Sequence, residues 1–551
     1  MLARVGVVRG GKAVPRVTLP AIHLVPSYPP RALLAGALRG FRALGSAAMA
    51  ARARRTPQFG NCRDGSWELH MLPTSSGAVC LDGSPAGFYL FKAPAGTKRF
   101  KANNQSWVIN FEGGGWCVSE EDCAIRATGK TGSSQSWPRI GSFGGILNKC
   151  CFCTSFCTYH RVLIKSCDGS SFSGAATRDV PAWDYINRQL AIPRRVHLAG
   201  RAIVAQTLQV LIDRFGLGHA NDVLVSGCSS GGLAALLLAG FVRSTLLAAA
   251  APLRRFKVAA FSGLFFVPQS SDEARHPFAE QMRSVVRLAA IDTPSCQKGP
   301  AGSCMIGTAP LEAVPPDIPV FVVQTPVDNW QASCILGLGA EVSRSSRIFL
   351  AGCEHGLWGK CLGWMQGALR ANRCTPWQFA QLRAYQRQVS DALIQSPALT
   401  RPGSGAFVHS CGNHCEDTDT LLYTRIGDVP IKRALGEWFK AEPTAAPDAH
   451  TRRGCLPFWG NRTAGDCPKT ETCGGGRLES LPPVSAHHRA KHWALALNNL
   501  STSRSRDAHG RIGRRGGDVA AAADRVADAA AVAAAAVGVA DAASKTKSRG
   551  S

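Results

Sequence analysis

Between about residues 79 and 440 the chain alternates short apolar runs, each closed by glycine-rich turns, with longer segments of helical period. Ser106–Phe111 (SWVINF) runs into Gly113, Gly114 and Gly115, and Val162-Leu163-Ile164 is closed by Cys167-Asp168-Gly169. Continuous apolar runs of this length, bounded by turn formers, predict buried strands. Residues 198–214 place Ile203, Leu208, Leu211 and Ile212 on one helical face, and GLGHAND then turns the chain into DVLVSG, a further strand. The apolar stretch 233–252 follows a glycine turn and contains Arg243, as a helix buried in a globular fold would, so no stable membrane insertion is expected. Val320–Val323 is a strand entered through VPPDIP and left at TPVDNWQ, and Ser346–Leu350 predicts another. Strands separated by helices predict an α/β fold, a doubly wound, mostly parallel sheet covered on both faces.

Charge divides the chain differently from hydropathy. The total is 63 − 37 = +26, yet residues 1–63 carry eleven Lys/Arg and no acid, and residues 487–551 carry eleven against five Asp. The two ends therefore hold +17 of the total, leaving +9 on 64–486. Phosphate binding needs cations clustered on a folded face, and the middle has no basic helix or aromatic-interleaved basic stripe, so no nucleic-acid partner is expected. A mildly basic body does suit a polyanionic substrate. Three regions follow: a basic extension at 1–63 that resembles an organellar targeting segment or an imperfect gene start, a folded domain at 64–482, and a basic, Ala-rich low-complexity tail at 483–551. Alanines offer little to bury, so disorder is expected for the tail. Within the domain, 451–482 reads as a loop-rich piece holding Cys455, Cys467 and Cys473.

Twenty-one cysteines without paired CxxC zinc spacing predict disulfides and an oxidising compartment, hence a secreted protein. Sequons at Asn104, Asn461 and Asn499 agree with a glycoprotein. An odd count leaves at least one cysteine unpaired within the chain, and Cys228 is the candidate for it.

Gly227-Cys228-Ser229-Ser230-Gly231 fits G-x-S-x-G only with Ser229 at its centre. The preceding VLV strand and the following LAALLLAG helix supply the strand–turn–helix context of a nucleophile elbow, and a bare glycine turn is the alternative. A serine hydroxyl needs a base, and in such folds the acid and the histidine follow the serine along the chain. Asp328 stands just after the strand VFVV, at the carboxyl end where α/β sites gather, with a turn residue or helix cap as the alternative. Asn329-Trp330 would help hold that loop. His355 (CEHGLWGKC) and His414 (HSCGNHCED) are both candidate bases, with His409, His487 and His488 weaker ones. The cysteines around His414 allow a metal site, but no second ligand pair with zinc spacing lies near, so neither metal nor cofactor is expected. FEGGGWC, 111–117, offers backbone N–H groups of Gly114 and Gly115 for an oxyanion, joined by that of Ser230.

Taken in order, VCLDGSPAGFYL (79–90), FEGGGWC with Cys123, TGSSQSW (131–137), SCDGSSFSG (166–174), GCSSGGLAA (227–235), TPVDNWQ (325–331) and GAFVHSCGNHCED (405–417) resemble the pectin acetylesterase family, which includes the carboxylesterase Notum. The resemblance implies an α/β-hydrolase-like, disulfide-rich, secreted and cofactor-free serine esterase. It makes Ser229 the nucleophile, Asp328 the acid and His414 the base in place of His355, with oxyanion donors at Gly114, Gly115 and Ser230. It also implies the pairs Cys80–Cys167, Cys117–Cys123 and Cys296–Cys304. The expected activity is hydrolysis of O-acetyl esters on cell-wall polysaccharide, above all pectin, by a monomer; a Notum-like protein deacylase, a lipase-like esterase and a non-enzymatic binding protein are the alternatives. CCFCTSFCTYH (150–160), richer in cysteine than the family pattern, and AFSGLFF (260–266), without its usual acid, are departures.

Overall fold

The computed structural model describes residues 66–93, 105–150, 154–181, 193–269, 276–297, 302–336, 376–409, 411, 414–415 and 420–442, with the short pairs 362–363, 368–369, 452–453 and 471–472. The expected strand at 346–350, His355, the three sequons, Cys455, Cys467, Cys473 and both charged ends lie outside the described residues.

A ten-stranded sheet forms the centre. Its strands are β1 (Trp67–Met71), β2 (Gly87–Phe91), β3 (Ser106–Phe111), β4 (Ile140–Gly141), β5 (His160–Ile164), β6 (Asp222–Cys228), β7 (Arg255–Phe261), β8 (Val320–Gln324), β9 (Gly405–Val408) and β10 (Arg452–Arg453), in the order β10-β9-β8-β7-β6-β3-β5-β2-β1-β4. From β10 to β5 every pairing is parallel. The β5–β2, β2–β1 and β1–β4 pairings are antiparallel. Thus the doubly wound, mostly parallel expectation holds, with an antiparallel edge added.

Strands β3 and β6 are buried along their whole length, as expected of central parallel strands covered on both faces. Their register pairs Phe111 with Gly227, so the glycine run after β3 and the serine turn after β6 leave the sheet side by side. Helix α1 spans Glu120–Arg126 and α2 spans Gly200–Phe215. On α2 the buried face is Ile203, Val204, Leu208 and Leu211, while Ile212 sits half-buried at its rim. The apolar stretch after the serine is not one helix from 233. It starts at Ser230 as α3 (Ser230–Leu237), breaks at Leu238 and continues as α4 (Ala239–Ala248), bent by 51°. Among the described residues no single helix is long and apolar enough to cross a membrane; Leu233, Ala234, Ala235, Ala239, Val242 and Leu246 of this pair are all buried in the protein. Helices α5 (Pro277–Leu288), α6 (Asn329–Cys334), α7 (Pro376–Gln395) and α8 (Ile431–Lys440) complete the elements used below.

The disulfides Cys80–Cys167, Cys117–Cys123 and Cys296–Cys304 form as the family pattern implies. Cys228 is not the unpaired cysteine. It is bonded to Cys415, 187 residues away.

Candidate active site

Ser229 sits between β6 and α3 with φ 57° and ψ −128°, a conformation L residues rarely adopt and hold only when the surroundings impose it. The surroundings here are backbone. A Cβ on Gly227 would lie 2.2 Å from the Gly231 carbonyl oxygen, and one on Gly231 would lie 2.2 Å from that of Phe111. Only glycine permits strand, turn and helix to close on each other at this distance. The Ser229 N–H donates to the Phe261 carbonyl at 2.9 Å, tying the turn to β7. The glycine turn is thus a strained elbow with its serine side chain opening into a cleft.

The two carboxylate oxygens of Asp328 face different partners. Oδ1 accepts from the N–H groups of Trp330 and Gln331, at 2.9 and 3.0 Å, and so caps α6. Oδ2 lies 2.7 Å from His414 Nδ1. The carboxylate is fully buried, and α6 is held from behind by Gln331, whose Nε2 donates to the Leu264 carbonyl at 3.0 Å. Tyr385 on α7 adds its hydroxyl 2.7 Å from Gln331 Oε1. Burial, reinforced by the nearby Asp328, pushes the Tyr385 hydroxyl pKa well above its usual value, so it stays a neutral donor.

The His414 ring stacks on Trp330, 24° from coplanar with centroids 5.6 Å apart. Trp330 in turn packs edge-on against Phe265 and Trp116. The adjacent Cys415 bonds Cys228, the residue before Ser229, with the two Cα atoms 5.4 Å apart. The structure therefore brings Ser229 and His414 to one cleft, with Asp328 buried behind the His414 ring, and it fixes Cys415 in a disulfide where a metal reading would need a free thiolate; Cys411 is disulfide-bonded as well. Among the described residues no group of three or more His, Cys, Asp or Glu side chains could hold a metal ion.

Facing the elbow, the amides of Gly114 and Gly115 converge on one acceptor, each 2.9 Å from Ser230 Oγ. The acceptor is a protein hydroxyl where the sequence reading has a substrate oxygen, and that reading gives Ser230 a part only through its backbone N–H. A hydroxyl next to Ser229 has no distinguishing signal in one sequence. The cleft encloses about 910 Å³. Phe143, Leu147 and Leu163 make an apolar wall, Ile125, Arg126 and Thr131 line it on the α1 side, and the Glu112–Lys165 ion pair lies at its edge.

A parallel sheet with a serine elbow at its carboxyl edge, a carboxylate–histidine pair beside it and convergent amides opposite defines an α/β-hydrolase-like protein. The sequence profile of pectinacetylesterase matches residues 63–450, and the chain belongs to the pectinacetylesterase family. It is a carboxylic ester hydrolase. It is 26% identical to pectin acetylesterase 11 of Arabidopsis thaliana over 378 residues, covering 66% of this chain and 85% of that one. To the palmitoleoyl-protein carboxylesterase NOTUM of Homo sapiens it is 30% identical over 172 residues, 31% of this chain and 30% of that protein. In fold it is similar to the Wnt deacylase Notum from Drosophila, with a TM-score of 0.52 and 21% identity, covering 69% of this chain and 95% of that one.

Proposed function

We propose that the protein is a secreted serine esterase that removes acetyl groups from pectin through an acetyl-enzyme. The observation that carries the mechanism is the 2.7 Å contact of His414 Nδ1 with the buried Asp328, in a ring stack that aims the imidazole into the cleft opened by Ser229. With Nδ1 held by the carboxylate, we assign the proton from Ser229 to Nε2, the other ring nitrogen. Ser229 Oγ attacks the acetyl carbonyl carbon and gives its proton to Nε2; the carbonyl π pair moves onto oxygen, which the amides of Gly114, Gly115 and Ser230 receive. On collapse of this tetrahedral species the sugar oxygen leaves with the proton from Nε2. Water then repeats the sequence on the acetyl-enzyme and releases acetate.

Pectin as substrate is supported by membership of the pectinacetylesterase family and by similarity to the Arabidopsis pectin acetylesterases over two thirds of the chain. A cleft of about 910 Å³ far exceeds an acetyl group and leaves room for the sugar that bears it. Four disulfides among the described residues support an extracellular, cell-wall setting. The apolar wall of Phe143, Leu147 and Leu163, with the similarity to Notum, favours one second reading, hydrolysis of a longer acyl ester. One comparison separates them: acetate release from acetylated pectin beside turnover of acetyl to octanoyl esters of one alcohol. Release from pectin with rates falling as the chain lengthens is expected; rates rising towards octanoyl, with no acetate from pectin, would give the second reading precedence.

A further inference from the structure

Arg126 lines the cleft but takes no part in the mechanism above. It stands in the last turn of α1, a helix whose sequence SEEDCAIR is built to hold it. Ser119 accepts from the Asp122 N–H at 3.1 Å and Asp122 accepts from the Val118 N–H at 2.9 Å, closing the N-terminus. Glu120, Glu121 and Asp122 occupy the first turn and Arg126 the last, each charge matching its end of the helix dipole. The Cys117–Cys123 bond staples the helix to the chain that leaves the glycine loop.

So held, the guanidinium grips that loop from behind. Nη1 donates to the Gly114 carbonyl at 2.6 Å and to Thr131 Oγ1 at 3.0 Å, and Nη2 donates to the Trp116 carbonyl at 2.8 Å. The Gly114 carbonyl and the Gly115 N–H belong to one trans peptide unit and point in opposite directions. Fixing the oxygen on the Arg126 side therefore fixes the N–H on the other side, where it meets Ser230 Oγ at 2.9 Å together with the Gly114 N–H. Gly115 itself, at φ +70°, lies between the two gripped carbonyls, and a Cβ there would come 3.3 Å from Arg126 Nη2. Burial lowers the guanidinium pKa from its usual value, and the charges of Asp122 and Asp168 oppose that shift. A cation bonded to the carbonyl end of a peptide polarises the N–H at its other end.

We propose that Arg126 is the positioning residue of the oxyanion hole, orienting and polarising the Gly114–Gly115 peptide so that its N–H faces the elbow, where Ser230 Oγ accepts it and where a carbonyl oxygen turning anionic takes over as acceptor. It acts through the loop, with its donors turned to backbone carbonyls and Thr131. The inference rests on Ser229 as nucleophile and the glycine loop as oxyanion site. Its contribution grows as charge develops on the oxygen, so it belongs to kcat far more than to substrate binding.

The test compares Arg126→Met, Arg126→Lys and wild type on 4-nitrophenyl acetate. It also measures inhibition by a methyl trifluoromethyl ketone: Ser229 Oγ bonds its carbonyl carbon, the Oγ proton passes to His414 Nε2, and the carbonyl π pair becomes an alkoxide in the hole. Losing one oxyanion donor costs roughly 10²–10³ in kcat, and Arg126→Met is expected to lose about 10², with KM within about twofold of wild type. Ketone affinity falls by the same factor as kcat/KM, and Arg126→Lys lies between the two because it restores the cation without the fork. If Arg126→Met fails to fold, the lysine variant alone still carries the comparison. Wild-type kcat and ketone affinity in a folded variant would overturn the proposal, as would a loss of kcat with ketone affinity unchanged or a loss confined to KM. Ser229→Ala, run beside them, tells the two layers apart: if it keeps wild-type turnover the nucleophile assignment fails, whereas an inactive Ser229→Ala with fully active Arg126 variants refutes only the role of Arg126.

Discussion

The two sides of the cleft are positioned by opposite means. Ser229 is held by its immediate neighbours in the chain and by backbone packed on backbone: Gly227, Gly231 and the β3–β6 pairing that brings Phe111 against the turn. His414 is held by partners far away in sequence, Asp328 at 86 residues and, through Cys415, Cys228 at 187. Trp330 adds a ring face. Backbone packing tolerates almost no change, whereas a tethered loop loses its geometry in steps as each tether is cut. The variants below therefore differ in kind as well as in size.

The largest effect is expected from Asp328→Asn, which leaves the α6 cap an acceptor but removes the charge facing His414 Nδ1. Turnover of a small acetyl ester should fall by about 10⁴, as loss of the orienting carboxylate does in such triads, while the melting temperature moves little. A large loss of stability instead would make Asp328 a helix cap first and a partner of His414 second. Next comes Gly231→Ala, in which a Cβ 2.2 Å from the Phe111 carbonyl oxygen forces strand and helix apart. Overpacking of this kind costs about 1–3 kcal/mol, occasionally more; denaturant unfolding should show that cost, and kcat should fall by roughly 10² or more if the elbow moves Ser229 by 1 Å. Wild-type stability here would break the claim that packing fixes the serine side.

Cutting the long tether in Cys228→Ala/Cys415→Ala sharpens the contrast on the other side. Closing a loop of 187 residues is worth about 5 kcal/mol in the chain-entropy account, and stability of that order should be lost. The rate should fall by about 10²-fold, because the remaining contacts of His414 to Asp328 and Trp330 still orient it part of the time. An unchanged kcat would mean that the disulfide serves stability alone. The smallest effect is expected at Ser230→Ala, which removes the oxygen on which the Gly114 and Gly115 amides converge. With both donors open to substrate, kcat/KM should rise by about threefold; a fall would show that the hydroxyl supports the loop more than it occupies it.

The same contrast governs what could be read from the sequence. The elbow is written in consecutive residues, so GCSSGG between an apolar strand and an apolar helix was enough to select Ser229. Strands β3, β6 and β8 and the parallel order are legible for the same reason, each being built round a short apolar run, WVI, VLV or VFVV. The histidine is less so: the sequence offers both His355 and His414, the family pattern settles on His414, and its contact with Asp328 spans 86 residues and leaves no local trace. The sequence points to Cys228 as unpaired and gives no sign of its bond to Cys415, since connectivity over 187 residues leaves no local trace. Strand β7 was hidden by Lys257, whose charge breaks the apolar run. In the fold its Nζ donates to the Trp438 and Ala441 carbonyls at the end of α8, each at 2.8 Å, and burial brings its pKa down to about 8. At β1 the half-exposed pattern of WELHM offered no clear period.

The central claim is that Ser229 and His414, positioned so differently, act as one unit. Its most direct test is the kcat of Ser229→Ala, His414→Ala and the double variant on one acetyl ester, each purified in folded form. Members of a unit are grossly non-additive, so the double variant is expected to be no slower than the slower single one, all three retaining only the residual rate of the oxyanion site and binding. Losses that multiply in the double variant, or near wild-type turnover by either single one, would contradict the account.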